Sequence, residues 1–253
     1  MKVFITGASS GLGAALAAHY AGRGASLGLL ARRRSALEDI EQRLCVPCAS
    51  YVADVGDADA MAWIAADYCT QHGTPDIVIA NAGVSSGTLG EETDDIAVLE
   101  RILRTNVIGL AATLAPFVGP MRKRGSGTLA GIASVAGIRG LPGSGAYCAS
   151  KSAAITWLES LRLELAGSGL RVATVCPGYV ETPMTAVNRF PMPFMLGAAD
   201  AARRIARAID RGRAYSVVPW QMRILASVLG LMPDALYDRA FAAAPRKPRK
   251  LPL

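Results

Sequence analysis

Residues 2–13 read Lys-Val-Phe-Ile-Thr-Gly-Ala-Ser-Ser-Gly-Leu-Gly, and this run decides the fold. Val3, Phe4 and Ile5 make a short apolar strand. From Leu12 the apolar residues Leu16 and Tyr20 recur at helical spacing, until Gly22 and Gly24 end the segment. Gly7, Gly11 and Gly13 lie at the junction, where the chain turns tightly and a ligand must approach the backbone. The first N–H groups of a helix have no partner within it. The turn from Gly7 through Ser9, Ser10, Gly11, Leu12 and Gly13 is therefore suited to a pyrophosphate. The spacing is Gly-x-x-x-Gly-x-Gly, not the Gly-x-Gly-x-x-Gly of the common dinucleotide fingerprint, so the strand–turn–helix context carries the reading.

Outward from this junction, strand and helix signals alternate. Strands are expected at 3–6, 26–31, 49–53, 76–80, 128–134, 170–176 and 214–218. Helices are expected at 36–44, 58–72, 93–124, 146–166 and 198–211 between them. The strands are apolar with little alternation, as in a parallel sheet covered on both faces. Residues 1–219 thus read as one α/β domain: a doubly wound, Rossmann-like, seven-stranded parallel sheet with helices on both faces. Residues 220–244 form an apolar helical extension, and 245–253 a basic tail expected to be disordered.

Composition narrows the class. The 253 residues are 51% apolar and 19% charged, which excludes a disordered chain. Four of the seven excess positive charges fall in 245–253, leaving three for the remaining 244 residues, so no nucleic-acid partner is expected. No run of about 18 apolar residues free of charge suggests a membrane span. The strand at the start leaves no room for a leader, and five cysteines, an odd count, fit a reducing compartment. A cytoplasmic protein is the expectation. Cys45 and Cys48 have no second pair or nearby histidine to complete a metal site, and none is expected.

Tyr147 and Lys151 stand four apart at the start of a helix and share one face. Ser134 ends the preceding strand. Strand end and helix start meet at the carboxyl edge of a parallel sheet, where ligands bind. A hydroxyl, a phenol and an ammonium in one cleft suit carbonyl–alcohol chemistry, which needs a proton moved at oxygen. A tyrosine of pKa about 10 must fall by about three units, roughly 4 kcal/mol, to work near neutrality as a base. A nearby ammonium pulls it in that direction.

With Thr6–Gly13, Asn81-Ala82-Gly83, Asn106, Ser134, Tyr147, Lys151 and Pro177-Gly178 in this order, residues 1–219 resemble the short-chain dehydrogenase/reductase family. The resemblance implies that Tyr147 is the general acid–base, with Lys151 lowering its pKa and holding the ribose hydroxyls. It makes Ser134 the hydrogen-bond partner of the carbonyl oxygen and Asn106 the support of a proton-relaying water. It also implies adenine contacts at Asp54 and Val55, a ribose wall at Asn81, Ala82 and Gly83, and nicotinamide contacts at Pro177, Gly178, Val180 and Thr182. Pairing through the helices near 93–124 and 146–166 implies a homodimer or homotetramer.

The second strand ends Ala31-Arg32-Arg33-Arg34. A carboxylate there suits a ribose 2′-hydroxyl, whereas a guanidinium suits a 2′-phosphate, so NADP is expected over NAD, with Arg32 the main contact. The segment 184–196, rich in Met and Phe, and Ile138, Leu141 and Pro142 are expected to wall an apolar substrate site, with Arg139 and Arg189 as candidate anion contacts. The expected substrate is a small apolar carbonyl or secondary alcohol. For the extension, three placements stay open: over the cleft, at a subunit contact, or on a membrane surface. The functional alternatives are a cofactor-sensing binding protein and a peripheral membrane enzyme acting on lipid-like carbonyls.

Overall fold

A central strand buried on both faces organises the molecule. In the computed structural model, which describes residues 1–251, β1 (Lys2–Thr6) leads into α1 (Gly11–Ala21), β2 (Ser26–Ala31), α2 (Arg34–Leu44), β3 (Cys48–Val52), α3 (Ala58–His72) and β4 (Ile77–Ala80). Next come α4 (Asp95–Leu103), a π-helical turn (Arg104–Ile108), α5 (Gly109–Arg124), β5 (Gly127–Ile132) and α6 (Gly145–Glu164). Then follow β6 (Leu170–Pro177), the short α7 (Pro183–Ala186), α8 (Ala198–Asp210), β7 (Tyr215–Val218), α9 (Trp220–Leu231) and α10 (Asp234–Phe241). The seven strands are parallel in the order β3-β2-β1-β4-β5-β6-β7, the doubly wound arrangement that the sequence implies.

Successive residues of β1 face opposite sides of the sheet. Val3 and Ile5 enter a core with Leu16, Tyr20, Ile205 and Ile209, between the sheet and α1 and α8. Phe4 enters the other core with Met61, Tyr68, Leu114, Phe117 and Leu158, beneath α3, α5 and α6. Its ring lies 5.2 Å from Tyr68 and 5.1 Å from Phe117, centroid to centroid, each contact contributing about 0.5–1.5 kcal/mol beyond area burial. Because both faces are covered, the strands show no polar alternation.

Two sequence expectations are corrected. The helix expected at 93–124 is interrupted by the π turn, which separates α4 from α5. The combined run Asp95–Arg124 is long and apolar enough to cross a membrane by length and composition, yet Leu110, Leu114, Phe117 and Met121 are buried in the core. The second correction concerns the tail. Arg249 donates to both oxygens of Asp95 (2.9 and 3.2 Å) and to Glu92 (2.9 Å). The Gly87 N–H donates to Pro248 O at 2.9 Å, and the Leu251 N–H to Ser86 Oγ at 3.2 Å. Charge pairing with an acidic turn more than 150 residues away orders this segment, and local composition carries no trace of it. Pro252 and Leu253, also within the expected disordered tail, lie outside the described residues.

Candidate active site

At the carboxyl ends of β1 and β4 the connections leave toward opposite faces, and a cleft of about 320 Å³ opens there. It is lined by Gly7, Ser9, Ser10, Gly11, Leu12, Gly13, Arg32, Asp54, Val55, Asn81, Ala82 and Gly83, and by Tyr147, Lys151, Pro177, Gly178, Val180 and Thr182. The structure thus brings together every residue that the sequence assigns to the cofactor. The turn fits a pyrophosphate. Ser10 precedes α1 without a side-chain cap, so the first helical N–H groups are not taken by it. Gly7 and Gly11 have φ of +66° and +54°, and a Cβ on Gly13 would lie 2.1 Å from Gly7 O.

The turn is held from beneath by two residues. Thr6 Oγ1 accepts the N–H groups of Asn81 (3.2 Å) and Ala82 (3.3 Å). Asn81 Nδ2 donates to Thr6 O (3.0 Å) and Gly7 O (3.3 Å). Asn81 therefore braces the glycine turn, and Thr6, not singled out from sequence, completes the brace. At the far end, Arg32 lies 3.8 Å from Asp54 with half its side chain exposed, and Arg33 lines the same rim.

Near the other end, Ser134 follows β5 and Tyr147 and Lys151 project from the first turns of α6. Ser134 Oγ accepts the Ala136 N–H at 3.1 Å and lies close enough to the Tyr147 phenol to favour its ionised form. Lys151 Nζ donates to Ile132 O at 2.9 Å and lies 5.8 Å from the Tyr147 ring centroid. Asn106 does not line the cleft directly. It sits in the π turn with Oδ1 accepting the Val84 N–H (2.8 Å) and Nδ2 donating to Val84 O (3.0 Å) and Ser150 Oγ (2.9 Å). Ser150 was not foreseen, although its place three residues after Tyr147 puts it on the same helix face. A Cβ on Gly83 would stand 3.3 Å from Asn106 Oδ1 and 3.5 Å from Lys151 Nζ, so glycine there keeps the gap between them open.

The electrostatics correct one expectation. Burial pushes the Tyr147 phenol up to about 12, against the opposing hydrogen bond from Ser134, instead of down toward neutrality. Burial also brings Lys151 down to about 8. Desolvation is the largest influence on the phenol, and the Lys151 ammonium is engaged by Ile132 O.

Ser134 and Tyr147 are shared with a second cavity of about 410 Å³. Ile138 and Leu141 form one wall, as expected; Pro142 does not contribute. From 184–196 the wall takes Met184, Asn188, Phe190, Pro191 and Pro193, while Phe194 and Met195 face solvent and Arg189 is exposed. The roof is the extension: Met222, Leu225, Ala226 and Leu229 of α9 and Tyr237 and Phe241 of α10. Of its three open placements, the structure shows the one over the cleft. Arg139, expected as an anion contact, instead fastens this roof. It pairs with Asp234 (2.8 Å), donates to Leu229 O (3.2 Å) and Met232 O (2.9 Å), and stacks 4.2 Å over Tyr237.

Residues 1–191 match the family model described as short chain dehydrogenase. The chain belongs to the short-chain dehydrogenase family. It is 40% identical over 239 residues to an uncharacterized oxidoreductase of Myxococcus xanthus, covering 93% of this chain and 94% of that one. It is 36% identical to 11-beta-hydroxysteroid dehydrogenase 1A of Arabidopsis thaliana, covering 86% of this chain and 68% of the relative. Among solved structures, levodione reductase superposes with a TM-score of 0.77 at 25% identity, over 86% of this chain and 95% of that one. The protein is an oxidoreductase of the short-chain dehydrogenase family.

Proposed function

We propose that the protein is an NADPH-dependent reductase of apolar ketones and aldehydes, running as a secondary-alcohol dehydrogenase in reverse. The observation that carries this is the position of Ser134 and Tyr147 on the shared wall of the cleft above the glycine turn and an apolar cavity. The glycine turn would hold the pyrophosphate, Asp54 and Val55 the adenine, and Arg32 with Arg33 a 2′-phosphate. Lys151 would hold the ribose hydroxyls, and Pro177, Gly178, Val180 and Thr182 the nicotinamide end. When bound, the nicotinamide supplies the hydride.

The protein supplies the proton. Ser134 Oγ is free to donate to a carbonyl oxygen once it turns from Tyr147, which polarises the carbon. Tyr147, raised by burial, stays protonated at neutral pH and gives its proton to that oxygen as charge develops there. Lys151 faces the gap beside Gly83 opposite Asn106, the position from which a water would restore the phenol proton. A cofactor-sensing role without chemistry has no use for this aligned set.

Titration with NADPH and with NADH, followed by tryptophan fluorescence, tests the reading. About tenfold or tighter binding of NADPH, near 1.4 kcal/mol, is expected, followed by NADPH oxidation with apolar carbonyls. Equal or tighter NADH binding would overturn the arginine assignment. The exposed Ile96, Ile108 and Leu163 on α4, the π turn and α6 support pairing of two copies there, which light scattering reads directly. Trp220, Ile224, Val228 and Leu231, exposed on the outer side of α9, support weak contact with a membrane surface, read by sedimentation with anionic liposomes.

A further inference from the structure

The cavity above Ser134 and Tyr147 is apolar on most sides and has two cations in its lining, Arg139, which Asp234 neutralises, and Lys247. The tail brings Lys247 into its wall. Lys247 Nζ donates to Ser85 Oγ at 2.9 Å and lies 6.0 Å from the centroid of the Tyr147 ring. Among the described residues, no carboxylate pairs with it: Glu92 and Asp95 are engaged by Arg249, and Asp234 by Arg139. Burial alone acts on this ammonium and lowers its pKa to about 8. A desolvated cation is normally paired, so one placed against a substrate cavity without a counter-charge marks where an anion belongs.

The placement of Lys247 is built into the fold. Arg249 clamps the segment to α4 and the turn before it, and the Gly87 N–H bonds Pro248 O. A Cβ on Gly87 would lie 2.2 Å from Lys247 O, and one on Gly143 would lie 2.7 Å from Arg246 Cβ. Two glycines from separate loops thus leave the groove in which the segment lies.

On the basis of the carbonyl-reductase reading, we propose that Lys247 is a specificity-determining residue that binds a carboxylate carried by the substrate. The substrate class is then an oxo acid: an apolar body, a ketone or aldehyde at Ser134 and Tyr147, and a carboxylate a few bonds away at the tail. One ammonium with one hydroxyl neighbour matches a singly charged carboxylate better than a phosphate, which calls for more donors.

The test uses the full chain at neutral pH and the ω-phenylalkanoates from phenylacetate to 6-phenylhexanoate, each beside its carboxamide, with affinity read by calorimetry. At least one acid should bind about tenfold tighter than its amide, the range of a charge-assisted hydrogen bond. Lys247→Met should bring the ratio to about one while leaving the amide's affinity unchanged, and Lys247→Arg should keep most of the preference. Absence of any acid preference in the native protein, or its survival in Lys247→Met, would overturn the assignment. Turnover of 4-oxo-4-phenylbutanoate against its methyl ester separates this assignment from the parent reading. Reduction of acid and ester alike, with no binding preference, defeats the Lys247 assignment alone. Acid-selective binding with reduction of neither upholds Lys247 as an anion site and defeats the reductase reading.

Discussion

The nucleotide cleft and the substrate cavity share one wall but are built from different materials. The cleft is made of backbone, small residues and strand ends, drawn from short motifs that each sit at one βα junction. The cavity is made of side chains from five distant stretches, held together by Arg139, by the Tyr237 hydroxyl donating to Gly140 O at 2.6 Å, and by Arg249. A site made of turns is specified locally, because the turn and its ligand-facing N–H groups are the same few residues. A site made of a roof is specified by contacts between segments that no local pattern links.

Changes on the shared wall test the comparison most severely. Tyr147→Phe removes the transferable proton and should lower turnover by about 10² to 10⁴-fold, with NADPH affinity unchanged in the same fluorescence titration. Near-native turnover would show that the wall is not catalytic. Within the cleft alone, Arg32→Glu should erase about tenfold or more of NADPH preference, measured as the ratio of the two cofactor dissociation constants, while the kinetics toward carbonyls at saturating cofactor stay the same. In the cavity alone, Arg139→Ala leaves the carbonyls at the end of α9 without their donor and should loosen the roof by about 1–2 kcal/mol. KM for carbonyls should rise several-fold with cofactor affinity intact; a matching loss of cofactor affinity would show that the two regions are coupled. The smallest effect is in pH. Because Tyr147 stays protonated and Lys151 titrates near 8, steady-state reduction should be flat in the neutral range and decline above about pH 8. Oxidation, which needs the phenolate, should climb over the same interval. Reduction that accelerates above that point would contradict the assignment of Tyr147 as acid.

The same contrast explains what was legible. The seven parallel strands follow from periodicity and the glycine turn from residues with a steric reason to be there, whereas Asp54, Val55, Asn81, Ala82, Gly83, Pro177, Gly178, Val180 and Thr182 were legible only through the family resemblance. Ser150 was within reach, lying on the helical face already identified through Tyr147 and Lys151. The direction of the Tyr147 shift was not, because it depends on how completely the fold desolvates the phenol. Neither was the docking of the tail: Arg249 reads as a solvated charge until Asp95 and Glu92 are placed beside it. Arg139 has the sequence position of an anion contact near Ser134, and its role as a clamp comes from α9 and α10, which only the tertiary fold brings above it.

The π turn at Arg104–Ile108 sets which insertions and deletions this stretch of chain tolerates. A π turn closes its hydrogen bonds one residue later than an α turn, so the chain there holds one residue more than a continuous helix of the same course requires. That surplus residue separates the angular register of α4 from that of α5 and lets Asn106 reach Val84 and Ser150 while Leu110 and Leu114 still face the sheet. Removing a single residue from this stretch would give a more regular helix and a less competent site. In this fold the irregular turn marks a length that cannot be trimmed.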